Sequence, residues 1–100
     1  MQIIFKTPKL EKQYESSQKA IRAYGAQVGR KFINRINILK SAKDLPVIMG
    51  ISVLRCHPLS GNRDGFHSIT LHGRWRLILK IDESTPGIVG VEEVSNHYDD

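Results

Sequence analysis

Residues 66–82 read Phe66-His67-Ser68-Ile69-Thr70-Leu71-His72-Gly73-Arg74-Trp75-Arg76-Leu77-Ile78-Leu79-Lys80-Ile81-Asp82. The run divides at His72-Gly73-Arg74, a tight hairpin turn by composition. Before the turn, alternation sets His67, Ile69 and Leu71 on one side and Phe66, Ser68, Thr70 and His72 on the other. After it, Trp75, Leu77, Leu79 and Ile81 share a face opposite Arg76, Ile78, Lys80 and Asp82. Two such strands predict an antiparallel pair with one face against a core.

Further along the chain, Ser84-Thr85-Pro86-Gly87 is another turn, and Ile88 to Val94 reads as a closing strand. Toward the amino terminus, Gly61-Asn62-Arg63-Asp64-Gly65 is a turn, and Ile51, Val53 and Leu54 lead through Arg55 and His57 to Pro58. Before Pro46 the periodicity is helical. Val28, Phe32, Ile36 and Leu39 fall on one helix face, with Arg30, Lys31, Arg35, Lys40 and Lys43 largely off it. Leu10, Tyr14, Ile21 and Tyr24 mark an earlier helix that starts at Thr7-Pro8 and stops at Gly25. Residues Gln2 to Phe5 suit a strand. The expectation is a single α+β domain over residues 1–100: an amino-terminal strand and a two-helix hairpin joined near Gly25 to Gly29, packed on one face of a mainly antiparallel sheet of four or five strands.

Composition limits the function classes. One hundred residues, 40% of them hydrophobic, support one modest core, and a chain this short buries only roughly 60–70% of its unfolded surface. The lone Cys56 excludes a disulfide framework and a zinc site of several thiolates. There is no HxH, HxxxH or HExxH spacing, so no metal or other cofactor is expected. No apolar run nears the ~20 residues that cross a bilayer, and no secretory signal pattern opens the chain, so a cytoplasmic protein is expected. The net charge of +5 is unevenly distributed. Residues 1–43 carry ten Lys/Arg against Glu11 and Glu15, whereas residues 82–100 carry six carboxylates and no Lys or Arg. A basic body with an acidic end suits a polyanion or an acidic protein partner, or simply a solvated surface.

Chemistry concentrates between residues 55 and 80, where Arg63, His67, His72, Arg74 and Arg76 recur among strand positions, and again at His97-Tyr98. Transfer at an RNA phosphate needs a base for the 2′-hydroxyl, an acid for the leaving 5′-oxygen, and cations for the phosphorane. Histidine suits the proton transfers and arginine the phosphate. Composition alone leaves a bland reading beside each residue. Arg74 fits a solvated strand face, His57 a structural or surface role beside Pro58, His67 a semi-buried position, and Cys56 a small buried strand residue.

The run Leu54-Arg55-Cys56-His57-Pro58-Leu59-Ser60-Gly61-Asn62-Arg63-Asp64-Gly65-Phe66-His67-Ser68-Ile69-Thr70-Leu71-His72-Gly73-Arg74-Trp75-Arg76-Leu77 resembles the signature of the HigB-like plasmid-killer toxins, a branch of the RelE/ParE superfamily. The resemblance implies a RelE-like ribonuclease fold and the toxin of a type II toxin–antitoxin system. It also implies a ribosome-dependent endoribonuclease that cleaves messenger RNA without metal, held in check by a cognate helix-turn-helix antitoxin in a hetero-oligomeric complex. By position, it implies that Arg76, His97, Tyr98 and His72 form the catalytic set. Arg63, Arg74 and Lys80 would bind RNA phosphates, with Arg30, Lys31 and Arg35 extending the contact along the helices. Carboxylates near His97 would keep it protonated and make it the acid.

The departures from the family pattern bear on catalysis rather than fold. Ser60 stands where the family has Lys, His67 where it has Trp, and Asn96-His97-Tyr98 where it has Asp-Tyr-His. Two other readings stay open. One is a ParE-like toxin that inhibits gyrase without cutting nucleic acid. The other is a degenerate member that only binds an antitoxin.

Overall fold

The computed structural model describes residues 1–61 and 64–96. In chain order the elements are β1 (Gln2–Phe5), α1 (Pro8–Glu15), α2 (Ser17–Tyr24), α3 (Ala26–Ser41), α4 (Leu45–Met49), a single 3-10 turn (Ser52–Leu54), β2 (His57–Pro58), β3 (Phe66–Thr70), β4 (Arg76–Lys80) and β5 (Ile88–Ser95). The five strands form one sheet in the order β1-β5-β4-β3-β2. All pairings are antiparallel except β1 with β5, which run parallel, so the sheet is mixed.

The helical half is more divided than the expected two-helix hairpin. Thr7 caps α1 through its Oγ1, 3.2 Å from the Leu10 N–H, with Pro8 in the first turn. The helix then breaks at Ser16, whose extended backbone ends α1 while its Oγ accepts the Lys19 N–H to start α2. Two consecutive serines at 16 and 17 are poor helix-interior residues and good caps. Gly25, at φ +86°, is the whole connection between α2 and α3. Gly29 lies inside α3 and is not part of that connection. It is there because α2 crosses so closely that a Cβ would sit 2.8 Å from the Ala20 carbonyl carbon and the Ile21 nitrogen. The short α4 was not foreseen, although Asp44 caps it by accepting the Val47 N–H and Pro46 occupies its first turn.

The helices cover one sheet face. Val28, Phe32, Ile36 and Leu39 of α3 pack with Leu10, Ala20 and Ile48 on Ile69, Leu71, Leu77, Leu79, Ile81, Val89 and Val91. This agrees with the alternation expected for β3 and β4. In β5 the alternation skips a residue: Leu79 pairs with Val91 and Ile78 with Glu93, leaving Glu92 as a bulge. Val91 and Val94 therefore both serve the core, and Glu93 and Ser95 point to the opposite face.

Candidate functional site on the open sheet face

The face away from the helices is assembled in cross-strand rows. Thr70, Arg76 and Ser95 form one row across β3, β4 and β5. His57, Ser68, Ile78 and Glu93 form the next, and Phe66, Lys80 and Gly90 the third. A basic side chain thus sits between two hydroxyl residues in the first row, and an imidazole stands at the sheet edge in the second.

Arg76, expected on a solvent-facing strand side, is on the face away from the helices but only 6% exposed, and Ser68, Ile78 and Ser95 beside it are as buried. One terminal nitrogen of its guanidinium donates to the carbonyls of Gly73 (2.7 Å) and Trp75 (3.0 Å). The group is thus held against the β3–β4 turn, which contains His72 and Arg74, both exposed. Lys80 is exposed, with its ammonium 5.4 Å from the centre of the Phe66 ring. Ser68 and Thr70 each carry a buried hydroxyl with no hydrogen-bond partner among the described residues.

His57 was expected in a structural or surface role beside Pro58. It is half-buried and shares the open face with Ser68. Its Nδ1 lies 3.0 Å from the Arg55 carbonyl, which can only accept, so Nδ1 carries the hydrogen of that bond. In the neutral ring the lone pair is then on Nε2. Arg55 presents that carbonyl from a left-handed conformation (φ 49°, ψ 44°), which costs a non-glycine residue about 1 kcal/mol or more. Strain of this kind tends to collect where a side chain must be aimed.

Other expected site residues are placed differently. Arg30 and Lys31 are exposed on α3. Arg35 was expected on the same solvated face and is instead only 5% exposed. Its Nε donates to the Thr70 carbonyl at 2.9 Å and a terminal nitrogen to Asn34 Oδ1 at 2.8 Å. It ties α3 to the end of β3 and cannot meet an external phosphate. Desolvation lowers its pKa from the usual range. Arg63, His97 and Tyr98 lie outside the described residues.

His67 is semi-buried as expected. Burial, chiefly, lowers its pKa, with the charge of His57 adding to that effect and the Gly65 backbone opposing it. Cys56 is buried, and desolvation pushes its thiol up to about 11. Among the described residues no group of three or more His, Cys, Asp or Glu side chains converges, and no helix is long and apolar enough to cross a membrane. A separate feature is apolar: Val47, Met49 and Val53, on and just after α4, are 45–62% exposed.

Comparison with solved structures places this architecture. The chain is similar to a YoeB/ParE toxin from Agrobacterium tumefaciens (TM-score 0.64, 18% identity, 98% of this chain and 100% of that one). It is similar to a mutant of YafQ from E. coli (TM-score 0.62, 17% identity, 95% and 91%). It also matches a chain of the YoeB–YefM complex from Staphylococcus aureus (TM-score 0.59, 18% identity, 98% of each). No protein-family model matches the sequence, and no curated protein matches it. At these identities the likeness concerns the fold: the chain has the RelE-like toxin fold.

Proposed function

We propose that this chain is the toxin of a type II toxin–antitoxin pair of the HigB-like branch, and that it cleaves messenger RNA on the ribosome. The observation that carries the proposal is the pairing, on the sheet face away from the helices, of a backbone-anchored Arg76 with a His57 whose Nδ1 is committed to a carbonyl. The two residues are two strands and two positions apart, which separates their backbones by about 12 Å. That spacing leaves room between them for a phosphodiester, with the Arg76 guanidinium turned toward the β3–β4 turn.

In the proposed reaction His57 Nε2 takes the proton of the 2′-hydroxyl. The 2′-oxygen attacks phosphorus, the bond to the 5′-oxygen breaks, and His97 or Tyr98 protonates that leaving oxygen. The products are a 2′,3′-cyclic phosphate and a 5′-hydroxyl. Arg76 and Arg63 stabilise the phosphorane charge, while Arg74, Lys80, Arg30 and Lys31 hold the backbone without reading sequence. Phe66, beside Lys80, offers a ring on which a base can stack. His72 lies at the Arg76 end of the site and adds to the polar rim. All of these steps run on side chains alone. A cytoplasmic location and a helix-turn-helix antitoxin as partner complete the proposal, and the exposed Val47, Met49 and Val53 supply apolar anchors for that partner.

One observation favours a second reading. Arg76 is almost fully buried and satisfies two backbone carbonyls, as a purely structural arginine would. In that case the chain acts by binding, to gyrase or to its antitoxin alone. Purified protein added to translating ribosomes, with message cleavage and gyrase supercoiling measured in parallel, separates the two. The cleavage reading expects cut message from the wild type, with losses on the order of 100-fold for His57→Ala and Arg76→Lys. Intact message together with inhibited supercoiling would establish the binder instead.

A further inference from the structure

Residues 71–75 lie beyond the last ladder pair of β3 and β4, yet they carry the carbonyls that hold Arg76. The turn is closed by its own backbone: the Leu71 N–H donates to the Trp75 carbonyl at 3.1 Å, and the Trp75 N–H to the His72 carbonyl at 3.0 Å. His72, Gly73 and Arg74 are exposed, so the turn takes its position from Leu71 and Trp75, which pack on the core. Trp75 is the only tryptophan of the chain. Its ring meets the ring of Tyr24 edge to face, with centroids 6.0 Å apart and planes at 63°. Tyr24, the last residue of α2, is itself fixed from two sides. Its hydroxyl donates to the side-chain oxygen of Gln13 in α1, which is only 5% exposed. Its ring lies 5.8 Å from that of Phe32 in α3.

We infer that Tyr24 is a positioning residue for Arg76 and acts through Trp75. Successive strand residues point to opposite faces, so Trp75 reaches the helical layer while Arg76 reaches the other side of the sheet. The Trp75 carbonyl joins the two: it accepts both the Leu71 N–H and a terminal guanidinium nitrogen of Arg76. A shift of the indole therefore moves an acceptor of the arginine directly. On the entry side of the turn, Arg35 holds the Thr70 carbonyl, and Thr70 is the β3 partner of Arg76. The helical layer thus grips both ends of the turn. Of the two grips, Tyr24 bears on the residue whose own carbonyl holds the guanidinium. A misplacement on the order of 1 Å is enough to lower a rate that depends on where a reacting or stabilising group points.

The effect on rate rests on the cleavage reading, whereas the hold on Arg76 is measured without RNA. Two variants separate the ring from the hydroxyl. Tyr24→Leu removes the edge contact, and Tyr24→Phe keeps it and loses only the bond to Gln13. Val89→Ala, at a fully buried β5 position that pairs with Ile3, controls for loss of stability. All are assayed well below their melting temperatures. Tyr24→Leu is expected to lower kcat for message cleavage on the order of tenfold with KM nearly unchanged. It should also shift Trp75 emission to longer wavelength and merge the separate N–H signals of the Arg76 guanidinium in nitrogen NMR, which a held group keeps apart. Tyr24→Phe and Val89→Ala should keep the wild-type values of all three. Trp75 and Arg76 signals that stay as in the wild type in Tyr24→Leu would overturn the proposal, whether or not message is cut. So would a raised KM at unchanged kcat, or an equal loss of kcat in Val89→Ala. Message left intact by the wild type would count against the cleavage reading instead, and the Arg76 signals would still decide the hold.

Discussion

Replacing Gly29 by alanine sets two effects of opposite sign against each other. Helix propensity alone favours the change, because alanine in a helix interior is about 1 kcal/mol better than glycine. The structure opposes it. The added Cβ would lie 2.8–2.9 Å from the backbone of Ala20 and Ile21, where ordinary contact begins near 3.4 Å. The obstacle is main chain rather than a flexible side chain, so α2 must move off α3 by several tenths of an ångström. The adjoining Ala20, Val28 and Phe32 are nearly or fully buried and would lose contact. Overpacking of this kind costs about 1–3 kcal/mol, and a backbone obstacle belongs at or above the upper end. After the propensity gain a net loss of about 2 kcal/mol remains, equivalent to a fall of roughly 8–16 °C in melting temperature. Gly87, with nothing within 4 Å of its missing Cβ, is the control, and Gly87→Ala should stay within about 0.5 kcal/mol of wild type. Thermal and urea unfolding followed by circular dichroism would decide. A Gly29→Ala protein as stable as the wild type, or more so, would refute the close approach of α2 and α3.

Other predictions rest on single groups. Arg35→Ala should lose about 2 kcal/mol in urea unfolding, because the Thr70 carbonyl loses its donor and the buried stem its contacts; its RNA affinity should keep the wild-type salt slope. Burial lowers the His67 pKa from 6.5, so the unfolded chain takes up the proton first as pH falls. The contribution is intact above about 6.5 and fades below it, so urea midpoints should drop from pH 7 to pH 5, and less steeply in His67→Phe. The Cys56 thiol, pushed up to about 11, should resist a thiol-reactive dye at pH 8 in the folded protein and react at once in urea.

The sheet was legible because each strand carries a period-two signal in its own residues: Ile69 and Leu71, then Leu77, Leu79 and Ile81, all face the core as their spacing requires. The α3 stripe of Val28, Phe32, Ile36 and Leu39 was legible for the same reason at the helical period. The missed features depend on partners far away in sequence. Arg35 looks like any surface cation until Thr70, 35 residues on, supplies a buried acceptor. Arg76 was placed on the correct strand face, but its burial depends on what surrounds that face, which alternation does not encode. His57 acquires its orientation from a left-handed Arg55, a conformation with no side-chain signature there. The break at Ser16 and the cap at Asp44 did have local signals, in serine pairs and in Asp-Leu-Pro, and a stricter reading of caps would have found both.

The bulge at Glu92 has an evolutionary consequence. Removing that one residue leaves Val91, Glu93, Val94 and Ser95 in unbroken alternation, each opposite the β4 residue it already faces. The ladder can therefore gain or lose this position without inverting either surface. Glu92 instead reaches across to Lys6, 3.7 Å away just past the edge strand β1. A chain deleted at 92 should fold with both faces intact and differ mainly in local strand twist. The bulge is thus a place where descendants of this fold can adjust the lie of Ser95 beside Arg76 while the core stays as it is.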